Sequence, residues 1–343
     1  MTHSSHETAL IVGAGPIGLA CAVSAKRRSI DPLVIDAGPI TNSIVGYPIG
    51  MSFFTTPERL EIGGHPIVAS GAKTTREEAL MYYRGVVRAE GIRVETFTKL
   101  VHAKTSDDSV TCTLETRLGT KTVTCDRLVL ATGYFDHPNM LGVEGEDLPH
   151  VSHYFREAHE ACGFDVVVVG GKNSAVEAAL HLFRAGAHVT LVHRRTEFTE
   201  SVKYWLRPDI NNRIKFGEID AYMGARVRRI TPTHVTLETA TGDAAEIPGD
   251  RVYALIGFHP DFDLFERIGI EYDDDTGCPA FDPDTLETNV PRIHLAGSPT
   301  TGRKISEVFI ENGRWDGEKI FGNLEGQQRA RDLYGTLKRE KGE

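Results

Sequence analysis

The chain has 343 residues, 40% of them hydrophobic and 25% charged, which is the composition of a globular protein with room for two domains. Its formal net charge of −10 argues against nucleic acid or an anionic membrane surface as a partner. No apolar run approaches the roughly 18 residues of a membrane span. The N-terminal MTHSSHET lacks the pattern of a secretory signal, and we predict a short disordered tail there.

Five cysteines lie far apart in the chain and none forms a CxxC pair: Cys21, Cys112, Cys125, Cys162 and Cys278. This spacing argues against a disulfide framework and a cysteine-rich metal site, and it fits a reducing cytoplasm. The histidines show neither HxxxH nor HExxH spacing, so no metal site is predicted.

The first predicted elements are a strand, a glycine turn, a helix and a second strand, read from ALIVGAGPIGLACAVSAKRR and PLVIDAG. The turn GAGPIG, which includes Pro16 and Ile17, matches GxGxxG. Its glycines allow a tight turn (Gly13), close approach of the backbone to a pyrophosphate (Gly15) and tight packing of helix on strand (Gly18). Asp36 ends the second strand, where a carboxylate can accept hydrogen bonds from ribose hydroxyls. The pattern predicts a dinucleotide site.

The stretch from IRVETF to VTCDRLVLATG alternates polar and apolar residues, which predicts an antiparallel meander followed by a strand that ends before Thr132 and Gly133. A second strand–turn–helix follows: DVVVVGG, a helix over about Ser174–Ala185, and the strand HVTLVHRR. Two such openings predict an α/β protein with two Rossmann-like domains.

The second turn, GGKNSA, departs from the usual glycine pattern. Its candidate nucleotide contacts are Gly170, Gly171, Lys172, Asn173, Ser174 and Ala175. Lys172 takes the middle position and could place a cation near phosphate, while Asn173 and Ser174 could cap the helix. Where the first domain has Asp36, the second has His193, Arg194 and Arg195. Guanidinium groups bind a 2′-phosphate that a carboxylate would repel, so this site is predicted to prefer NADPH.

The strand RVYALIG closes the second domain near Gly257, and PRIHLAG returns to the first. We therefore expect residues 138–257 to be an inserted domain, with residues 1–137 and 258–343 forming the other. The C-terminal NLEGQQRARDLYGTLKREKGE is predicted to be a surface helix.

These residues resemble the two-dinucleotide-binding flavoproteins of the small thioredoxin-reductase-like form. The resemblance implies FAD in the first domain and NADPH in the inserted one. RLVLATG and TNVPRIHLAG resemble the family's two strands beside FAD, although Ser298 stands where the family usually has an aspartate after Gly297. No cysteine lies between Asp165 and Gly257, so the CxxC route of thioredoxin reductases is excluded.

The closer resemblance, over about Ala9 to Lys319, is to the bacillithiol-disulfide reductase (YpdA-type) family. It is carried by SIVGYPIGMSFFTTPERLEIG, GGKNSA, SVKYWLRP, LIGFHPDFD and VFIENGRWDG. Members from bacillithiol-producing organisms have a cysteine in the first loop where this chain has Ile17. Cys21, one helical turn later, is a weak substitute that we expect to be buried.

The resemblance implies hydride transfer from NADPH to the flavin and then to a low-molecular-weight disulfide such as bacillithiol disulfide, or to a small redox protein. A helix is expected to begin near Ile305 with its positive end toward the flavin. The segment with Tyr47, Phe53 and Phe54 should pass near the flavin. We also expect a homo-oligomer.

Three other functions stay open. A ferredoxin or flavodoxin–NADP reductase would also lack CxxC, but it needs a basic patch that a net charge of −10 does not favour. A flavin monooxygenase needs a glycine where HYFREAHE has Glu157. A non-catalytic redox sensor would bind a flavin that NADPH reduces and no acceptor reoxidises.

Overall fold

The computed structural model describes residues 5–305 and 307–322 of the chain. The described part divides into two compact units. One comprises the described residues up to Val45, Gly50–His137 and those from Phe258 on, and the other comprises Gly46–Ile49 and Pro138–Gly257. We call them the first and the second unit.

The elements follow one another in chain order. Up to His137 they are β1 (Ser5–Glu7), β2 (Leu10–Val12), α1 (Pro16–Lys26), β3 (Leu33–Asp36), α2 (Asn42–Val45), α3 (Pro57–Leu60), α4 (Arg76–Glu90), β4 (Arg93–Thr96), β5 (Thr98–Thr105), β6 (Val110–Thr116), β7 (Gly119–Cys125) and β8 (Leu128–Leu130). The second unit adds β9 (Val151–Ser152), β10 (Asp165–Val169), α5 (Asn173–Arg184), β11 (His188–His193), α6 (Arg207–Lys215), β12 (Asp220–Met223), β13 (Arg226–Ile230), β14 (His234–Glu238), β15 (Ala244–Pro248) and β16 (Arg251–Ala254). The first unit then resumes with α7 (Phe262–Ile268), β17 (Ile293–Leu295), α8 (Ile310–Gly313) and α9 (Asp316–Phe321).

The two units are built on the same plan. Each has a five-stranded parallel sheet, in the order β17-β8-β2-β3-β4 in the first and β9-β16-β10-β11-β12 in the second. Each also has an antiparallel meander, β5–β7 in the first and β13–β15 in the second. The predicted fold class, two Rossmann-like domains of the thioredoxin-reductase-like type, is confirmed.

The four valines of β10 show how the second sheet is buried on both faces. Val166 and Val168 pack in a core with helix α5, whereas Val167 and Val169 pack in a core with the meander. Because successive side chains of a strand point to opposite faces, an unbroken apolar run fills both layers at once.

Two local predictions are wrong. Ser5–Glu7, expected in a disordered tail, form β1 and pair with β7, because edge pairing uses backbone groups and needs no apolar side chains. The helix expected near Ile305 begins instead at Ile310. The Asn312 side chain accepts a hydrogen bond from the Phe309 N–H (2.8 Å) and donates one to the Glu307 carbonyl (2.9 Å), and these two bonds hold the residues before Ile310 in a loop. The predicted C-terminal helix lies outside the described residues.

Candidate functional site

The first glycine loop joins β2 to α1, with Gly15 as the residue before the helix and Pro16 as its first residue. Gly13 has a φ of +112°, and a Cβ there would lie 2.3 Å from the carbonyl oxygen of Ala131. A Cβ on Gly18 would lie 1.9 Å from the carbonyl oxygen of Gly13, whereas a Cβ on Gly15 would meet nothing within 4 Å. The protein itself thus requires Gly13 and Gly18, and Gly15 leaves open space at the helix N-terminus.

Two further segments meet this loop at the carboxyl edge of the sheet, because β2, β8 and β17 are parallel neighbours. After β8, the Thr132 hydroxyl is buried and has no hydrogen-bond partner among the described residues, and Gly133 has a φ of +69°. After β17, a Cβ on Gly297 would lie 2.7 Å from Cδ1 of Ile17. A crevice at the carboxyl ends of parallel strands is where such folds bind nucleotides.

Asp36 holds the first loop directly, a role that the sequence did not indicate. Its Oδ2 accepts a hydrogen bond from the Ala14 N–H and its Oδ1 accepts one from the Gly38 N–H, both at 2.8 Å. Burial raises the pKa of Asp36 above its ordinary value, and the nearby Asp136 adds to this, against the two backbone hydrogen bonds.

The remaining candidates near the flavin lie in different places. Tyr47 belongs to the short segment that groups with the second unit. Phe53 is buried and Phe54 is 41% exposed. Ser298 is buried at the start of a 3-10 turn, Ser298–Thr301, and Ile305 is half-buried in the loop before α8. Gly297 contacts the first loop, and of these residues Ser298 alone is its direct neighbour in the chain.

Cys21, the weak candidate for a reactive thiol, is unsuited to that role. It is fully buried in α1, and a Cβ on Gly317 would lie 2.7 Å from its Cα. Burial, with Asp316 and Glu318 nearby, raises the pKa of its thiol well above the ordinary value, so the nucleophilic thiolate is not formed at neutral pH. Cys278 is exposed.

The second glycine loop joins β10 to α5. Gly170 has a φ of +148°, and a Cβ there would lie 2.5 Å from the Leu255 carbonyl oxygen and 2.7 Å from Cβ of Ala175. A Cβ on Gly171 would lie 2.2 Å from the ring of His193, so this glycine makes room for the imidazole. Lys172 is exposed at the position before the helix.

The end of β11 lies beside this loop. The Nε2 atom of His193 is buried with no hydrogen-bond partner among the described residues, and burial, with Arg194 and Arg195, lowers the pKa of the ring. A neutral ring at pH 7 follows from this shift. Arg194 and Arg195 are exposed. Gly257, after β16, has a φ of +100° and its carbonyl accepts from the Asn139 N–H at 2.9 Å.

Asn173 has a role different from the predicted helix cap. Its Oδ1 accepts from the Lys203 N–H (2.8 Å) and its Nδ2 donates to the Ser201 carbonyl (3.1 Å), so it holds the loop after β11 against the start of α5. No side chain caps the helix N-terminus, and Ser174 is exposed there. The contact joins residues 28 to 30 positions apart, which local sequence rules do not anticipate.

Over residues 5–305 and 307–322, no helix is both long and apolar enough to cross a membrane. In the same part of the chain, no group of three or more His, Cys, Asp or Glu side chains could hold a metal ion.

A family model described as pyridine nucleotide-disulphide oxidoreductase matches residues 10–297. The chain belongs to this family. Bacilliredoxin reductase Bdr of Bacillus subtilis (strain 168) is 43% identical over 318 residues, which are 93% of this chain and 97% of that protein. Two solved structures of bacillithiol disulfide reductase Bdr (YpdA) are also similar. That from Bacillus cereus has a TM-score of 0.91 at 39% identity, covering 95% of this chain and 100% of its own. That from Staphylococcus aureus has a TM-score of 0.88 at 36% identity, covering 96% and 99%.

These likenesses confirm the resemblance to the Bdr (YpdA) flavoproteins and make the chain a pyridine nucleotide-disulphide oxidoreductase. Its cofactors are FAD and NADPH. The chain is therefore an NADPH-dependent flavoprotein oxidoreductase.

Proposed function

We propose that this chain uses NADPH to reduce a low-molecular-weight disulfide, with FAD held at the first glycine loop and NADPH at the second. The assignment of the two sites is carried by one observation: the two loops have a similar backbone conformation, but the charge at the end of the next strand is opposite. Asp36 ends β3, whereas Arg194 and Arg195 follow β11.

The residues proposed to hold FAD share the carboxyl edge of the first sheet. The open space in front of Gly15 admits a pyrophosphate, and the unpartnered Thr132 hydroxyl offers a polar contact. The full set is Gly13, Gly15, Pro16, Ile17, Gly18, Asp36, Thr132, Gly133, Gly297 and Ser298. The contacts of Tyr47, Phe54 and Ile305 with the flavin stay predictions.

The residues proposed to hold NADPH share the same edge of the second sheet. Exposed cations suit its phosphates: Lys172 at the helix N-terminus, and Arg194 and Arg195 for the 2′-phosphate. The unpartnered Nε2 of His193 supplies a neutral polar contact next to them. The full set is Gly170, Gly171, Lys172, Asn173, Ser174, Ala175, His193, Arg194, Arg195 and Gly257, with Asn173 acting through the loop that it holds.

The proposed reaction consumes one NADPH, one proton and one disulfide and yields NADP+ and two thiols. FAD, when bound, supplies the group that accepts a hydride and passes on two electrons. The protein orients both nucleotides by their phosphates. Because Cys21 is buried and protonated and no cysteine lies between Asp165 and Gly257, we propose that neither Cys21 nor a CxxC pair of the second domain takes part.

A second acceptor is supported by the name of one relative. The Bacillus subtilis protein is called a bacilliredoxin reductase, whereas the two solved relatives are called bacillithiol disulfide reductases. A small redox protein is therefore the second candidate for the oxidising substrate of this chain.

The test is to follow NADPH oxidation without oxygen by the FAD-loaded protein, with bacillithiol disulfide or with oxidised bacilliredoxin. We expect many turnovers with the disulfide, and the same rate for Cys21→Ala as for the wild type. Turnover with bacilliredoxin alone would transfer the assignment to the protein acceptor. A flavin that NADPH reduces and neither acceptor reoxidises would contradict the proposed reaction and leave ferredoxins and flavodoxins to be tested.

A further inference from the structure

The turn that follows β17 is held in place from two sides. Gly297 has a φ of +77° and faces the Ile17 side chain, as described above. Its N–H donates to Oδ2 of Asp316 at 2.7 Å, and its carbonyl oxygen accepts from the Thr300 hydroxyl at 2.7 Å. The first glycine loop therefore contacts this turn on one side, and α9 binds its backbone on the other.

The carboxylate of Asp316 has one hydrogen-bond donor among the described residues, the Gly297 N–H. The contact between α9 and α1 is made by a different carboxylate, that of Glu318. The Ser24 hydroxyl donates to Oε1 of Glu318 at 2.9 Å, and Arg28 pairs with the same carboxylate. Glu318 thus supports the packing of α9 on α1, and Asp316 is directed at the turn.

We propose that Asp316 is a positioning residue for FAD: by binding the Gly297 N–H, it fixes the Gly297–Ser298 turn against Ile17 of the first glycine loop. The proposal rests on the assignment of FAD to that loop. Gly297 carries no side chain that could orient it, because its φ and the nearby Ile17 exclude a Cβ. The groups that bind its backbone are the Thr300 hydroxyl, at the carbonyl, and the Asp316 carboxylate, at the N–H.

The environment of Asp316 makes its hydrogen bond with the Gly297 N–H sensitive to pH. Burial raises the pKa of Asp316 to about 6, opposed by the Gly297 hydrogen bond and by Lys319. Cys21 on α1, which Asp316 and Glu318 both approach, keeps its thiol protonated, and Glu318 is paired with Arg28. A carboxylate accepts a stronger hydrogen bond than its protonated form. The hydrogen bond from the Gly297 N–H to Asp316 should therefore weaken as the pH falls through the pKa of Asp316.

The test measures the dissociation constant of FAD from apo-protein, by flavin fluorescence, between about pH 8 and about pH 5, on either side of the Asp316 pKa. For the wild type we expect affinity to fall about fivefold over this range, the difference between a charged and a neutral hydrogen bond. Asp316→Asn keeps a neutral acceptor, so its affinity should match the low-pH wild type and should change less with pH than that of the wild type. Asp316→Ala should lose about tenfold or more relative to wild type at high pH.

Glu318→Gln is the matched control. It removes the charge that pairs with Arg28 at the α1–α9 contact but leaves the Gly297 turn untouched, so it should keep the pH profile of the wild type. A pH profile of Asp316→Asn equal to that of the wild type would overturn the proposal, even if Asp316→Ala does not fold. So would equal FAD affinity in Asp316→Ala and Glu318→Gln. A wild-type protein that binds no FAD at any pH would contradict the FAD assignment as well.

Discussion

The two glycine loops of this chain separate what the backbone requires from what a ligand requires. Gly13 and Gly170 have positive φ values, +112° and +148°, and a Cβ on them would lie 2.3 and 2.5 Å from the carbonyls of Ala131 and Leu255. The second positions differ, since one is Gly15 and the other Lys172. Both have an extended backbone with negative φ, −76° and −106°. The backbone of neither unit therefore requires glycine at this position. The residue there instead reflects how closely a ligand must approach the backbone.

The third positions show the same division. Gly18 lies so close to the Gly13 carbonyl that a Cβ would be 1.9 Å away, whereas the second loop accommodates the methyl group of Ala175. The second loop is thus slightly wider at this contact. Together with Asp36 in one unit and Arg194–Arg195 in the other, this difference supports two distinct nucleotides on one repeated plan.

The largest effect is expected from Gly18→Ala. Its Cβ would meet backbone that cannot move without distorting the Gly13 turn, so we predict a loss of about 3 kcal/mol or more in the free energy of unfolding and a protein purified without FAD. Urea denaturation of the apo-protein measures the free energy of unfolding, and flavin absorbance of the purified protein measures bound FAD.

The control for this change is Gly85→Ala in α4. This glycine is exposed and a Cβ there would meet nothing within 4 Å. The exchange should stabilise the protein by about 0.5–1 kcal/mol, since alanine favours a helix. Equal stability of the Gly18→Ala and Gly85→Ala proteins would refute the packing role of Gly18.

A smaller, selective effect is expected from replacing both Arg194 and Arg195 with alanine. Charged hydrogen bonds are worth about 1.5–3 kcal/mol, so the affinity for NADP+ should fall about 10- to 100-fold while that for NAD+ changes little. Calorimetric titration of the FAD-loaded variant with each nucleotide makes the comparison. Equal losses for both nucleotides would contradict the 2′-phosphate assignment.

The smallest effects are expected at the second loop positions. The free energy of unfolding of the Gly15→Ala apo-protein should lie within about 1 kcal/mol of that of the wild type. The variant should nevertheless bind FAD about tenfold more weakly, because its Cβ would enter the space left for the ligand. Lys172→Ala should weaken NADP+ binding only about two- to fivefold, and less at high salt, since an exposed cation is screened. An apo-protein destabilised by Gly15→Ala would show that the backbone, rather than the ligand, requires this glycine.

Much of the plan could be predicted because its signals are local. The buried parallel strands are short apolar runs, the GxGxxG turn fixes the first loop, and the predicted helix Ser174–Ala185 differs by one residue at each end from α5, Asn173–Arg184. The charge difference between Asp36 and Arg194–Arg195 could also be predicted, since Asp36 ends one strand that the pattern predicts and the two arginines follow another.

The rest could not be predicted because it depends on contacts between distant segments. Asp316 meets Gly297 only once α9 packs on α1, and Asn173 holds a loop some thirty residues away. The start of α8 at Ile310 depends on the side chain of Asn312, which ordinary capping rules do not anticipate. The grouping of Gly46–Ile49 with the second unit has no local signal at all.

The most direct test of the two-nucleotide account is an anaerobic titration of the purified yellow protein with NADPH and with NADH, following the flavin absorbance. The account predicts that NADPH bleaches the flavin stoichiometrically and that NADH needs a far higher concentration. Replacing Arg194 and Arg195 should bring the two concentrations together. A protein without bound flavin, or equal bleaching by NADPH and NADH in the wild type, would contradict it.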